Sequence, residues 1–124
     1  MRNDVRPVTD ETNVADPAPT SLPAQTVAAL AAEGATLIDV RRTYEFEAGH
    51  LAGASNIEMN ELSSRSDEVP RDRQVVFYCR TGSRSALATQ AFGSAGFDAH
   101  NLAGGLKAWV ADGLPIEPAD GRVA

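Results

Sequence analysis

Apolar residues in this chain come in short runs separated by polar, glycine-bearing joints, and the spacing within the runs changes along the sequence. Leu22-Pro23-Ala24-Gln25-Thr26-Val27-Ala28-Ala29-Leu30-Ala31-Ala32-Glu33-Gly34 sets Val27, Leu30 and Ala31 on one side of a helix. Pro23 fits its first turn, where the missing N–H costs nothing, and Gly34 is its stop. Thr36-Leu37-Ile38-Asp39-Val40 has no helical spacing and reads as a buried strand. A short charged helix follows over Tyr44–Ala48, ended by Gly49, and Ala54-Ser55-Asn56-Ile57 reads as a short strand. A polar connection covers Asn60 to Arg73, and a second apolar strand runs from Gln74 to Tyr78. The alanine-rich stretch from Ser85 to Ala95 places Leu87, Ala91 and Phe92 at helical spacing and stops at Gly96. Ala99-His100-Asn101-Leu102 is a further strand, and the last helix, Leu106 to Ala111, is introduced by Gly104-Gly105 and closed by Gly113.

Strands alternating with helices imply an α/β fold of parallel strands, right-handed crossovers and helices on both faces. At 124 residues the chain fits one domain. Residues 1–18 are rich in Asp, Asn, Thr and Pro with almost no large apolar side chain, so a disordered tail is expected there. The domain is expected over 19–118, with a short tail at 119–124. No apolar signal region follows Met1, and no stretch approaches the ~18 apolar residues of a membrane span, so neither export nor anchoring is encoded. The net charge of −6 and pI near 4.8 argue against a nucleic-acid or anionic-membrane surface. One cysteine forbids an intramolecular disulfide, and a reactive thiol is better served by a reducing compartment, so the cytoplasm is expected. Heavy use of alanine and arginine with a single lysine suggests a GC-rich bacterial genome.

That cysteine, Cys79, sits at the carboxyl end of its apolar run, where open α/β sheets place their ligands. The alternative, a lone cysteine used as a small buried hydrophobe, would put it inside the run. The polar loop Arg80-Thr81-Gly82-Ser83-Arg84-Ser85 joins this strand to a helix. In such a unit the loop N–H groups and the positive end of the helix dipole converge into a cradle for an anion. With Arg80 and Arg84 beside it, the thiol is expected to ionise below its free value. Gly82 supplies a positive φ or a close approach. Thr81 and Ser83 either contact the bound anion or cap the helix. Arg80 is the better candidate for substrate, whereas Arg84 reaches either substrate or a carboxylate from Asp39 or Glu45. Asp39, Arg41 and Glu45 read as supporting residues, since an ionised group at the end of a buried strand needs partners. One cysteine and two separated histidines form no metal ligand set, and no Gly-x-Gly-x-x-Gly follows a strand, so no cofactor is expected.

The segments Leu37-Ile38-Asp39-Val40-Arg41, Glu45-Phe46, Gly49-His50-Leu51-Ala52-Gly53-Ala54 and Asn56-Ile57 closely resemble the amino-terminal signature of rhodanese domains. Tyr78 to Ser85 resembles the six-residue active-site loop of single-domain rhodaneses. Leu102-Ala103-Gly104-Gly105 with Trp109, Gly113 and Pro115 resembles the family's closing motif. The resemblance spans about residues 20 to 117, three motifs in order, and is more specific than any one Cys-bearing loop. It implies a rhodanese-like α/β fold with a five-stranded parallel sheet flanked by helices. It also implies a thiosulfate sulfurtransferase that carries sulfane sulfur as a persulfide on Cys79, taking it from a small-molecule donor to cyanide, a thiol or a protein thiol. His50 falls in a signature turn, where the resemblance implies packing and hydrogen bonding. Two other function classes stay open: a partner-specific sulfur carrier or non-turnover regulatory module, and a phosphatase or arsenate reductase of the same fold. Against the latter stands loop length, since four residues separate Cys79 from Arg84 where phosphate-cleaving loops of this kind have five.

Overall fold

The computed structural model describes residues 20–124, so the expectation for residues 1–18 lies outside the described residues. The elements are β1 (Ser21–Leu22), α1 (Ala24–Ala32), β2 (Thr36–Asp39), α2 (Thr43–Ala48), β3 (His50–Leu51), β4 (Ser55–Asn56), β5 (Val75–Tyr78), α3 (Ser83–Ser94), β6 (Ala99–Leu102), α4 (Gly105–Ala111) and β7 (Ile116–Glu117). Five strands form one sheet in the order β1-β6-β5-β2-β4, every neighbouring pair parallel. The expected α/β architecture is therefore the observed one. β3 and β7 make a separate two-stranded antiparallel ribbon. This ribbon and β1 did not figure in the sequence reading: two residues set no period, and unlike β4 they are not framed by apolar residues read as a strand. The connection after β4 holds two 3-10 turns, Met59–Glu61 and Ser66–Glu68.

Side chains alternate across a strand, so β5 feeds two cores. Val75, Phe77 and Cys79 join Ile38, Val40, Ala88, Phe92, Phe97 and Ala99 on one face, beneath α3. Val76 and Tyr78 join Ala24, Val27, Leu37, Leu102, Leu106 and Trp109 on the other, beneath α1 and α4. Trp109 anchors α4 by burial and by donating its indole N–H to Pro115 O at 2.8 Å.

The inward face of α3 differs from the expected one. Leu87 is 63 % exposed and Ala91 is exposed, while Ser85, Ala88, Thr89 and Phe92 are buried. Two hydroxyl residues occupy the buried stripe because each is hydrogen-bonded there: Thr89 Oγ1 donates to Ser85 O at 2.9 Å, and Ser85 Oγ donates to Asn101 Oδ1 at 2.6 Å. A polarity pattern therefore misplaces the helix's phase.

Residues 119–124, set apart by the sequence as a tail, pack back on the domain. Arg122 N–H donates to Ala48 O at 2.9 Å, Arg41 Nη1 donates to an oxygen of Ala124 at 3.4 Å, and Val123 lies against the core of the α1–α4 face. Among the described residues no helix is long and apolar enough to cross a membrane.

Candidate active site

β5 is the middle strand of the sheet, and its last residue, Tyr78, is in register with Asp39 of β2, so both strands deliver their following loops to one edge. Cys79 follows there, 1 % exposed. The loop after it turns sharply: Gly82 has φ +97° and begins α3. A Cβ at Gly82 would stand 3.1 Å from Leu102 O and 3.2 Å from Gly104 N, so the position needs glycine for both conformation and space. Neither Thr81 nor Ser83 caps the helix by its side chain; Gly82 is the cap and Ser83 the first helical residue.

The turn aims donors at the sulfur. Gly82 N–H donates to Cys79 Sγ at 3.1 Å, and Ser85 Oγ approaches it at 3.4 Å. Burial pushes the thiol up, but hydrogen bonds from the Ser85 hydroxyl and from the N–H groups of Ser85, Gly82 and Thr81 outweigh it and hold Cys79 below its ordinary value. Arg80 and Arg84 are not among the leading causes of this shift. Arg84, half exposed, turns its Nη1 to Glu45 Oε1 at 3.8 Å, the carboxylate alternative, and Arg80 is exposed. Charge in solvent acts weakly, whereas the short donors act inside the fold.

The loop is fixed from α4 as well. Leu106 N–H donates to Cys79 O at 2.9 Å and Lys107 N–H to Arg80 O at 3.0 Å. A Cβ on Gly105 would meet Cys79 O at 2.5 Å, so the paired glycines of the closing motif let two backbones touch.

The supporting residues hold the neighbouring loop. Asp39 and Arg41 are both fully buried and joined by a forked contact, with Nη2 at 2.8 Å and Nε at 3.0 Å from the carboxylate. The same Nη2 also donates to Gly49 O at 2.7 Å. Burial lowers the Arg41 pKa, but the bonds and charge of Asp39 more than offset this and leave it raised. Asn56 Nδ2 bridges the carbonyls of Asp39 and Arg41 at 2.9 and 3.0 Å. Tyr78 hydroxyl accepts Leu51 N–H at 3.0 Å, and burial first, then the Asp39 charge, pushes its pKa up. Glu45 accepts Arg42 N–H at 3.0 Å in the first turn of α2. His50 packs as expected: its ring stacks on Phe46 at 3.7 Å, and Nδ1 lies 2.8 Å from Phe46 O.

One buried polar residue at the site escaped the sequence reading. Asn101, 4 % exposed, bonds both Ser85 and Gly82. Its signal was a polar side chain in phase with Ala99 on a strand, which polarity alone ascribes to solvent.

The Rhodanese-like domain family matches residues 22–112, and the chain belongs to that family. A protein called Sulfurtransferase from Allochromatium vinosum is 38 % identical over 90 residues, 72 % of this chain and 84 % of that protein. The uncharacterised protein YqhL of Bacillus subtilis is 43 % identical over 76 residues, 60 % of either chain. Human thiosulfate:glutathione sulfurtransferase is 38 % identical over 96 residues, 65 % of this chain and 84 % of that one. Among solved structures, a rhodanese-related protein of Thermoplasma volcanium superimposes with a TM-score of 0.73 at 28 % identity, covering 77 % of this chain and 95 % of that one. The relatives support the sulfurtransferase class.

Proposed function

We propose that this chain moves a sulfane sulfur from thiosulfate, or a donor like it, to a thiophilic acceptor through a persulfide on Cys79. The observation that carries the reading is the placement of Cys79 Sγ at the carboxyl end of the central strand, with Gly82 N–H at 3.1 Å and the Ser85 hydroxyl at 3.4 Å. The thiolate attacks the outer sulfur of thiosulfate, the S–S bond of the donor breaks, and sulfite leaves with the electron pair. Cys79 then carries a persulfide whose outer sulfur is anionic. Cyanide or a thiolate attacks that sulfur, and the departing electron pair restores the Cys79 thiolate. Every state at the sulfur is an anion or close to one, so fixed N–H donors serve throughout and no separate acid, base, metal or organic cofactor is needed.

Arg80 is the exposed cation beside the nucleophile and suits the sulfonate of the donor. Thr81 and Ser83 have exposed side chains at the rim, Gly82 and Ser85 are buried beside the sulfur, and Arg84 lies 3.8 Å from Glu45. The partners are the small donor and acceptor, with a protein thiol as a further acceptor, in a reducing compartment such as the bacterial cytoplasm.

Intact-protein mass spectrometry after incubation with thiosulfate tests the reading on wild type and Cys79→Ser. The expected result is a gain of one sulfur on wild type alone, removed by cyanide as thiocyanate forms. No adduct on folded, reduced protein would overturn thiosulfate as donor and move the carrier and phosphatase readings forward.

A further inference from the structure

Asn101 touches no reacting atom in the scheme above, yet it is bonded to two of the three residues whose donors serve Cys79, Ser85 and Gly82. Its Nδ2 donates to Gly82 O at 3.2 Å and to Ser21 Oγ at 3.4 Å, while its Oδ1 lies 2.6 Å from Ser85 Oγ. The two ends of the amide are not interchangeable, because reversal would set Oδ1 against the Gly82 carbonyl with no proton between them. An amide oxygen has no hydrogen, so the Ser85 hydroxyl is the donor in the 2.6 Å bond. Serine has one such proton. Cys79 Sγ, 3.4 Å away, is a second acceptor for it.

We propose that Asn101 is a positioning residue that holds the Ser85 proton away from Cys79 while the sulfur is a neutral thiol, and releases it to Sγ when the sulfur becomes an anion. In the thiol state Sγ–H donates to Ser85 Oγ, and Ser85 donates to Asn101. On ionisation the thiol proton leaves to water, and the hydroxyl rotates from Oδ1 to Sγ, exchanging a neutral bond for a charge-assisted one. In the persulfide, a state that rests on the sulfur-transfer reading, the charge moves to the outer sulfur and the hydroxyl returns to Asn101. The contact thus opposes ionisation through Ser85, while the Gly82 bond keeps the backbone donor in place.

The charged groups around the loop are engaged elsewhere or exposed to solvent. Arg84 meets Glu45 and Arg41 meets Asp39. Arg80 and Lys107 are exposed, and the Tyr78 hydroxyl serves Leu51 on the opposite face of the sheet. Titration of Cys79 therefore reports the hydrogen bonds.

The test is the pH profile of Cys79 alkylation by iodoacetamide in wild type, Asn101→Leu, Ser85→Ala and the double variant, with Asn101→Ala as a second, smaller replacement and circular dichroism to confirm folding. Alkylation needs no sulfur donor, so its outcome is independent of whether the chain turns over thiosulfate. Freeing the Ser85 proton is expected to give about threefold more thiolate below the midpoint in Asn101→Leu, Ser85→Ala is expected to give less than wild type, and the double variant is expected to match Ser85→Ala. A purely structural Asn101 would act through Gly82 alone. Its replacement would then reduce the thiolate, or change it equally with and without the Ser85 hydroxyl, and either result in a folded Asn101 variant overturns the proposal.

Discussion

At Cys79 two effects of opposite sign meet. Burial disfavours the anion, and four hydrogen bonds from three residues favour it more, so the thiol is lowered chiefly by local donors. Alkylation should accordingly reach half its plateau rate at a lower pH than a free cysteine requires, while Arg84→Ala leaves that pH where it is; a large upward movement in Arg84→Ala would return the arginine to the balance. A depressed thiol also stabilises the fold, in full above the unfolded thiol's pKa and less as pH falls through the folded value. Donor binding is the role proposed for Arg80, which is exposed beside Cys79. Arg80→Ala is expected to raise KM for thiosulfate about tenfold, or ~1.4 kcal/mol, with kcat little changed, and unaltered steady-state constants would remove it from donor binding. The Asp39–Arg41 pair is a matter of stability. Asp39→Ala strands a buried guanidinium and is expected to cost about 3–5 kcal/mol by urea unfolding, whereas Asp39→Leu with Arg41→Met should recover much of it.

Between elements, the site depends on two backbones in contact: the loop that opens α3 and the glycine turn that opens α4. Leu106 and Lys107 N–H groups hold the carbonyls of Cys79 and Arg80, and Gly105 has φ +61° with no room for a side chain. Gly105→Ala is expected to push the loop off the sulfur, lowering the fraction of Cys79 alkylated at neutral pH and costing about 2–3 kcal/mol of stability; wild-type values for both would show that the loop carries its own shape. The same loop sets the size of the cradle. One residue inserted between Gly82 and Arg84 is expected to shift preference from sulfur donors toward phosphate esters, read as hydrolysis of p-nitrophenyl phosphate by the folded variant.

For the whole molecule, the sheet brings β2, β5 and β6 to one edge, and the closing segment ties that arrangement down from behind. Residues 119–124 cover the loop that Arg41 supports, through Ala48, Arg41 and Val123. Removing them is expected to cost about 2 kcal/mol in urea unfolding, chiefly through lost burial and one backbone bond, and to leave the mass gain with thiosulfate intact. A loss of the adduct without a loss of stability would instead place this segment in the chemistry.

What the sequence determined by itself was whatever rests on neighbours in the chain. Apolar runs and glycine stops located the longer strands and the helices, the place of Cys79 at a strand's end marked the candidate nucleophile, and the glycine at 82 marked the turn, because each depends on a few adjacent residues. Tertiary structure decided what depends on atoms brought together from afar. It made Ser85 and Thr89 inward-facing in place of Leu87, since buried hydroxyls are tolerated only where partners from other strands meet them. It turned Arg84 to Glu45, paired two-residue strands too short to carry a period, and set Asn101 behind the sulfur. A hydrogen bond between residues 85 and 101 has no trace in local spacing, and only the parallel register of β5 with β6 places them within reach.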